Sequence, residues 1–408
     1  MSEKGRGEDH SACMGQSWSE PPVSDRAPAA LERLSRFERL SLSTHLGAIK
    51  AGKTTLPVLL GIQHLTGGPV LLRIADALAA HDLESNIADA VCWLSDRHPS
   101  IESWPKMVFD AASAASLGPE KIMAYDDVLC LFQALLSAYD WDPADFSRTA
   151  IEPVDLAVVG QMLQGFRSPA VRFDAFAAAC SAYPYVLPLL KTIWRRLLVD
   201  GQTTHGGNQG SPQVLNRNER AVLFAKWGSS VLDTTSLFRS GLDGLSISRF
   251  GTILGEAEHS TLVLLRGRCS ATLNKNWPSK HHKVDRVLEP VDGAPPHVGP
   301  IAVGIVVGRP WQRKGGICCG NSQILVWEPF VHISDGHSVF CDPALGLGAG
   351  FVRPSTFAYT HKDDVSLAVE NSLQYGVLQI RSAKRDFRFY LDEVAILECN
   401  LHEVNNRS

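Results

Sequence analysis

The chain contains 408 residues, of which 45% are hydrophobic and 20% are charged, and these values are ordinary for globular domains. The formal net charge of -4 argues against nucleic-acid binding through a broad basic surface. No apolar run approaches the roughly 20 residues of a membrane-spanning helix, and the polar first segment lacks the apolar core of a signal peptide. We therefore expect a cytoplasmic protein of two or three domains.

The first segment, residues 1–28, is polar and rich in Ser, Gly and charged residues, a composition typical of a disordered tail. It contains Met14-Gly-Gln-Ser-Trp-Ser19, which fits the N-myristoylation pattern. The pattern is internal as written, so it works only if translation starts at Met14. Gly15 is then the lipidation candidate, and the chain would associate with a membrane surface.

Residues 29–199 have the apolar spacing of an all-α helical domain. The clearest stripe follows the i, i+3, i+4, i+7 spacing of an amphipathic helix and comprises Val128, Leu131, Phe132, Leu135 and Leu136. Residues 187–198 predict the last helix of this domain. Pro188 falls in its first turn, where the missing N–H of proline has no helical partner to lose.

Two motifs in the helical domain carry chemistry in other proteins. Residues 47–54, Gly-Ala-Ile-Lys-Ala-Gly-Lys-Thr, match the P-loop pattern in full. A P-loop needs a buried strand directly before it, whereas residues 31–46 have helical spacing, so we expect a loop between helices. Residues 140–145 begin like a calcium loop, but Ile151 stands where that loop needs a bidentate Glu.

The composition changes after residue 199. Residues 200–217 are rich in Gly, Gln, Asn, Thr and Ser and predict a flexible linker. Residues 218–402 contain short apolar runs divided by Gly and Pro, which predict β-strands at 261–267, 301–308, 323–331, 375–381 and 387–397. Trp311 and Phe387 lie in or beside these runs and are predicted core residues. The predicted fold class is α+β, an all-α region followed by a two-sheet β-sandwich with a few short helices.

Two groups of side chains in the second half could support redox or metal chemistry. Cys318 and Cys319 are adjacent in a Gly-rich stretch beside basic residues, and nearby cations lower the pKa of a thiol. A redox sensor and a pair of small apolar strand residues are both compatible with this pattern. His332, Asp335 and His337 could hold a metal ion, but Ser334-Asp-Gly336 is also an ordinary turn sequence.

Several segments after residue 218 follow one another in a recognisable order. They are Asp243-Gly-Leu-Ser246 with Phe250, Thr261-Leu-Val-Leu-Leu265, Val303-Gly-Ile-Val306 with Pro310-Trp311, the Gly-rich run 316–327, and the closing run 387–398 with Leu391-Asp-Glu-Val394. This order resembles the TLDc domain of the oxidation-resistance proteins over roughly residues 218–401. The polar stretch 275–299 is longer than the corresponding hairpin of the family, and Ala395-Ile396 replaces its final aromatic residue.

The resemblance implies two packed β-sheets with a few short helices, and no established catalytic site. It implies protein partners, among them the cytosolic sector of the vacuolar proton pump, and links to oxidative-stress tolerance and lysosomal signalling. We therefore expect a non-catalytic cytosolic adaptor or regulator, peripheral on lysosomal or vacuolar membranes, with no cofactor, metal, nucleic acid or small-molecule substrate. The alternative is an enzyme, either a P-loop nucleotide hydrolase using residues 47–54 or a cysteine-based redox protein using Cys318 and Cys319.

Asp392 and Glu393 are the candidate partner-binding residues, since they interrupt an otherwise apolar closing strand. Neighbours on a strand point to opposite faces, so we expect one carboxylate to face inward and the other to face solvent. A carboxylate near a core must be paired or hydrogen-bonded. An ion pair with an Arg such as Arg249 or Arg388 is the structural alternative to contact with a basic partner surface.

Overall fold

The structure, a computed structural model, describes residue 70, residues 104–113, 121–139, 153–195, 214–228, 234–270, residue 288, and residues 291–308, 311–313, 317–342, 346–350 and 364–399. Within these ranges the chain combines helices with a large antiparallel sheet, so the mixed α and β composition is confirmed. The tail with Gly15, the P-loop match at 47–54 and residues 140–151 lie outside the described residues, and the predictions made for them stay predictions.

The described helices include two that the sequence predicted. They are α1 (Trp104–Ala112), α2 (Tyr125–Ser137), α3 (Leu156–Met162), α4 (Phe173–Ala182), α5 (Val186–Arg195), α6 (Arg217–Trp227), α7 (Ser240–Asp243) and α8 (Ile247–Glu256). The predicted apolar stripe of α2 is buried throughout, and α5 begins directly before Leu187, with Pro188 in its first turn. Residues 29–103 contribute little to the described part, so an all-α region across 29–199 stays a prediction.

Four of the helices form two helix–loop–helix units that meet through a short β-pair. Strand β1 (Met123–Ala124) lies between α1 and α2, and β2 (Ala170–Val171) lies between α3 and α4; the two strands pair antiparallel. The same order of helices and paired strands occurs in paired EF-hands. The connection 163–172 contains neither Asp nor Glu, so it lacks the carboxylates on which calcium coordination depends.

The main sheet is antiparallel and closes on itself. Its strands are β3 (Thr234–Arg239), β4 (Ser260–Cys269), β5 (Gly299–Val307), β6 (Gln312–Arg313), β7 (Ile317–Glu328), β8 (His332–Asp342), β9 (Gly346–Ala349), β10 (Val365–Val369), β11 (Tyr375–Ile380) and β12 (Arg385–Cys399). The order is β11-β10-β9-β8-β7-β5-β4-β12-β3, and β11 also pairs with β12. All five predicted strands are present, but they belong to one closed sheet rather than to two separate ones.

The two faces of the sheet carry different cores, because alternate residues of each strand point to opposite sides. Val263 and Leu265 belong to an interior cluster that also includes Trp311 and Phe387, so the prediction that these two aromatic residues are core residues is confirmed. Leu262 and Leu264 point to the other side, where the sheet packs against the helices in one continuous apolar cluster.

Helix α6 lies within that second cluster and contacts both the other helices and the sheet. Its residues 221–225 are all buried. The ring of Tyr139, after α2, packs against Phe224 of α6 with a centroid distance of 5.7 Å. The backbone N–H of Tyr185 donates to the carbonyl of Ala225 at 3.2 Å. The position of α6 therefore fixes the helical units on the sheet.

Ser334-Asp-Gly336 does not form the turn that its sequence suggests but lies within β8. Ser334 pairs with Ile324 and His337 pairs with Ser322, so two residues of β8 oppose one residue of β7. Gly336 has a φ of 83°, which glycine adopts readily. The turn chemistry is used here for a β-bulge rather than for a chain reversal.

Candidate protein-binding surface

A β-bulge separates the two predicted partner-binding carboxylates. Leu391 pairs with Gly267 and Glu393 pairs with Arg266, which leaves Asp392 without a partner position on β4. The side chain of Asp392 is 58% exposed and lies 3.2 Å from Nε of the exposed Arg268, whereas the side chain of Glu393 is only 24% exposed. The expected difference between a solvent-facing and an inward carboxylate is thus present, and Asp392 is the bulged residue.

Glu393 belongs to a chain of four alternating charges on the helix-facing side of the sheet. Its carboxylate accepts from Nη1 of Arg266 at 2.8 Å and from Nη2 of Arg239 at 3.1 Å. Arg266 also donates to Glu219 of α6 and to the carbonyl of Val214. The network therefore joins β3, β4 and β12 to α6.

Glu219 is the most buried member of this network, with 3% of its side chain exposed. Burial raises the pKa of Glu219, while hydrogen bonds and the charge of Arg266 act in the opposite direction. The Glu219 carboxylate also accepts the N–H of Asn216 at 2.7 Å, which completes a capping box at the start of α6. Glu219 thus stabilises both the helix and the contact between helix and sheet.

The structural alternative, an ion pair of a closing carboxylate with a nearby Arg, is present for Glu393, but its partners are Arg266 and Arg239 rather than Arg249 or Arg388. Arg249 donates to Asp243 at 2.6 Å, and Nε of Arg388 lies 3.4 Å from Asp386. The register of β4 and β12 decides the actual partner, because it places Arg266 directly opposite Glu393. Asp392 and Glu393 still differ in their availability to a partner protein, since of the two only Asp392 has an exposed carboxylate.

A turn beside this bulge, residues 240–246, is held firmly in place. The hydroxyl oxygen of Ser240 accepts the N–H of Val394 at 3.0 Å, next to Glu393. The Asp243 carboxylate accepts the N–H of Arg239 at 2.8 Å and the Arg249 guanidinium at 2.6 Å. Gly244 has φ 78° and ψ 173°, a conformation that is essentially restricted to glycine.

Two leucines project from this ordered turn into solvent. Leu242 is 83% exposed and Leu245 is 45% exposed. Across the bulge, Tyr390 is 49% exposed and pairs with Arg268. We call the turn 240–246, together with Arg268, Tyr390 and Asp392, the turn–bulge surface. It combines apolar side chains with a few charges, as protein-binding surfaces do.

A cleft of about 580 Å³ lies between the helices and β8, lined in part by Gln161, Tyr183, Lys226, His332 and Asp335. Gln161 is fixed there, because its side-chain oxygen accepts the N–H of Val331 at 3.0 Å. Burial lowers the pKa of His332, and the charge of Asp364 opposes that shift. The cleft therefore favours a neutral imidazole.

His332, Asp335 and His337, the possible metal ligands, do not form one metal-binding group, although His332 and Asp335 line the same cleft. His337 is buried, and its Nε2 lies 2.7 Å from the Ser334 hydroxyl. Among the described residues, no three His, Cys, Asp or Glu side chains come together to hold a metal ion.

The redox candidates occupy the middle of the sheet. On β7, Cys318 pairs with Gln312 of β6 and with Phe340 of β8, and Cys319 pairs with Val339. Their side chains lie outside the described part of the structure, so their redox role stays a prediction. Burial raises the pKa of the nearby Cys341 thiol to about 12.

No model of a known protein family matches the chain, and no curated protein matches it significantly. The resemblance to TLDc domains therefore rests on the motifs quoted above. None of the helices in the described ranges is both long and apolar enough to cross a bilayer.

Proposed function

We propose that this protein is a non-catalytic adaptor or regulator that binds a protein partner through the turn–bulge surface. The observation that carries this proposal is Leu242, an almost fully exposed leucine on a turn held by three hydrogen bonds to the side chains of Ser240 and Asp243. An exposed leucine gains nothing for the fold. A leucine on an ordered turn loses little conformational entropy when a partner covers it, and preorganisation of this kind favours binding.

The energetic gain from covering this turn is appreciable. Full burial of a leucine side chain contributes about 1.5–3 kcal/mol, and Leu242 has most of its surface still to bury. A gain of about 2 kcal/mol corresponds to roughly thirtyfold in affinity. Tyr390 would add an aromatic contact, and aromatic residues are enriched at binding hot spots.

The resemblance to TLDc domains supplies the partner to be tested first. We propose the cytosolic sector of the vacuolar proton pump, with the protein acting peripherally at lysosomal or vacuolar membranes and contributing to oxidative-stress tolerance. The side chains of Arg268 and Asp392 are both exposed to solvent. Their opposite charges suit a partner surface that also carries both positive and negative groups.

The test measures binding of the full chain to the immobilised cytosolic sector of the pump. Leu242→Asp should weaken binding by at least about thirtyfold, for the reason given above, without lowering the thermal midpoint. The matched control is Leu156→Asp, because Leu156 is also an exposed leucine but lies on α3. Equal binding by a folded Leu242→Asp protein would refute the surface, and no binding by the wild-type chain would refute the partner.

A further inference from the structure

A second surface includes Leu237 of β3 and shares no lining residue with the turn–bulge surface. A groove of about 390 Å³ opens there between β3 and the C-terminal end of α8. It is lined by three apolar residues, three carboxylates and one imidazole: Leu237, Ile253, Ala257, Glu256, Glu258, Glu398 and His259.

The apolar part of the groove results from a β-bulge. Phe238 pairs with Ile396 and Ser236 pairs with Leu397, so Leu237 has no partner position on β12. Bulges redirect side chains, and Leu237 packs only partly against the interior cluster, as does Ile253. Both side chains therefore leave apolar surface open to the groove.

The charged part of the groove is acidic. Glu256 is the last residue of α8, and the final turn of this helix carries no basic residue, although a helix C-terminus attracts cations. Glu398 accepts the N–H groups of Glu258 and His259 through one oxygen, each at 3.2 Å. Among the described residues, those that line the groove include no Lys or Arg.

The strand beside the groove has an open edge in the part of the chain that the structure describes. β3 ends the strand order of the sheet, and β12 is its only partner among the described strands. Thr235 and Ser236 are exposed. An open edge offers backbone N–H and C=O groups with which an extended peptide can pair.

We propose that this groove binds an extended segment of a partner protein by strand addition to β3. A Lys or Arg of the segment enters among Glu256, Glu258 and Glu398, and a neighbouring apolar residue covers Leu237 and Ile253. A metal ion fits less well, because these carboxylates do not converge into a metal-binding group in the described structure. The groove is distinct from the turn–bulge surface, so this proposal does not rest on the function proposed above.

The test uses the full chain and labelled peptides of about six residues, the length of an ordinary strand. The first peptide alternates Val with Arg and Lys. The second has Glu and Asp in place of the basic residues, and the third is the basic peptide with N-methyl groups along one edge. Fluorescence anisotropy should show binding of the basic peptide only, because the acidic peptide is repelled and the methylated one cannot pair with β3.

Variants then locate the site. Glu256→Gln combined with Glu258→Gln should weaken binding of the basic peptide by about tenfold, since each exposed charge contributes up to about 1 kcal/mol. Asp174→Asn combined with Asp292→Asn is the matched control, because it removes two exposed carboxylates elsewhere and should leave binding unchanged. Leu242→Asp should also bind the peptide normally, which separates this site from the turn–bulge surface.

Three results would overturn the proposal. The first is equal binding of the basic and acidic peptides, and the second is undiminished binding of the N-methylated peptide. The third is a dimer in sedimentation that the Glu256→Gln, Glu258→Gln protein no longer forms, because a second copy of this chain would then occupy the groove.

Discussion

Arg266 supplies the positive charge between two carboxylates, and replacing it tests how the helices are held on the sheet. Arg266→Met keeps much of the side-chain volume but leaves Glu219 almost fully buried without a counter-charge. Removing one partner of a buried pair costs about 3–5 kcal/mol, a large share of an ordinary stability of about 5–15 kcal/mol. For a cooperative unit of about 150–250 residues, the thermal midpoint should then fall by about 6–20 °C.

The pH dependence of this defect has a definite sign. Burial holds the pKa of Glu219 above its ordinary value, and loss of Arg266 raises that pKa further. Glu219 has a higher pKa in the folded protein than in the unfolded chain, where it is about 4.3. Protonation of Glu219 therefore stabilises the fold fully below the unfolded pKa, and this contribution is lost as pH rises through the folded pKa. The defect of Arg266→Met should therefore be larger at about pH 7 than at about pH 5.

Urea denaturation monitored by tryptophan fluorescence measures both effects. Adding Glu219→Gln to Arg266→Met should recover part of the loss, because glutamine still accepts the N–H of Asn216 in the capping box. Arg268→Met is the matched control, since its exposed pair with Asp392 should contribute less than about 1 kcal/mol. Equal losses for Arg266→Met and Arg268→Met, or no recovery with Glu219→Gln, would refute the reasoning.

Three further outcomes follow from burial. Trp311→Ala should cost about 3–5 kcal/mol in urea denaturation, because the ring is buried and its Nε1 donates to Thr261 at 2.9 Å; an unchanged midpoint would contradict this. Cys341 and Cys399, with pKa values raised to about 12 by burial, should resist alkylation at neutral pH until urea unfolds the protein; mass spectrometry of the labelled peptides checks this. The fragment 218–402 should aggregate when expressed alone, because it exposes the sheet face that packs against the helices; a monodisperse fragment in light scattering would show otherwise.

Local patterns predicted local structure well. The stripe in α2 needs only helical spacing to place Val128 and Leu136 on one buried face, and the strand around Leu264 is apolar enough to be recognised from its own residues. Strand β3 was missed because Thr234-Thr-Ser236 is polar, as an exposed edge strand can be. A strand with only one neighbouring strand need not be apolar, so the pattern of apolar residues does little to predict it.

The charge network could not be predicted because it depends on register. Glu393 and Arg266 lie 127 residues apart in the sequence, and the bulge at Asp392 shifts the alternation that single-strand reasoning assumes. The exposed Leu242 gave no sequence signal either. Leu242 is exposed because the hydrogen bonds of Ser240 and Asp243 fix the conformation of the turn. The bond between Ser240 and Val394 joins residues far apart in the sequence, so the residues of the turn alone do not predict it.

Strand β12 has a consequence for biosynthesis. It pairs with β11, β4 and β3, and it follows all three in the chain. While β12 is still being translated, β3 has no partner among the described strands, and β4 and β11 each lack the neighbour that β12 provides. The nascent chain therefore carries unpaired strand edges until β12 has left the ribosome, a state in which aggregation competes with folding. Closure of the sheet depends on contacts distant in sequence, so this half of the protein should fold slowly and benefit from chaperones during synthesis.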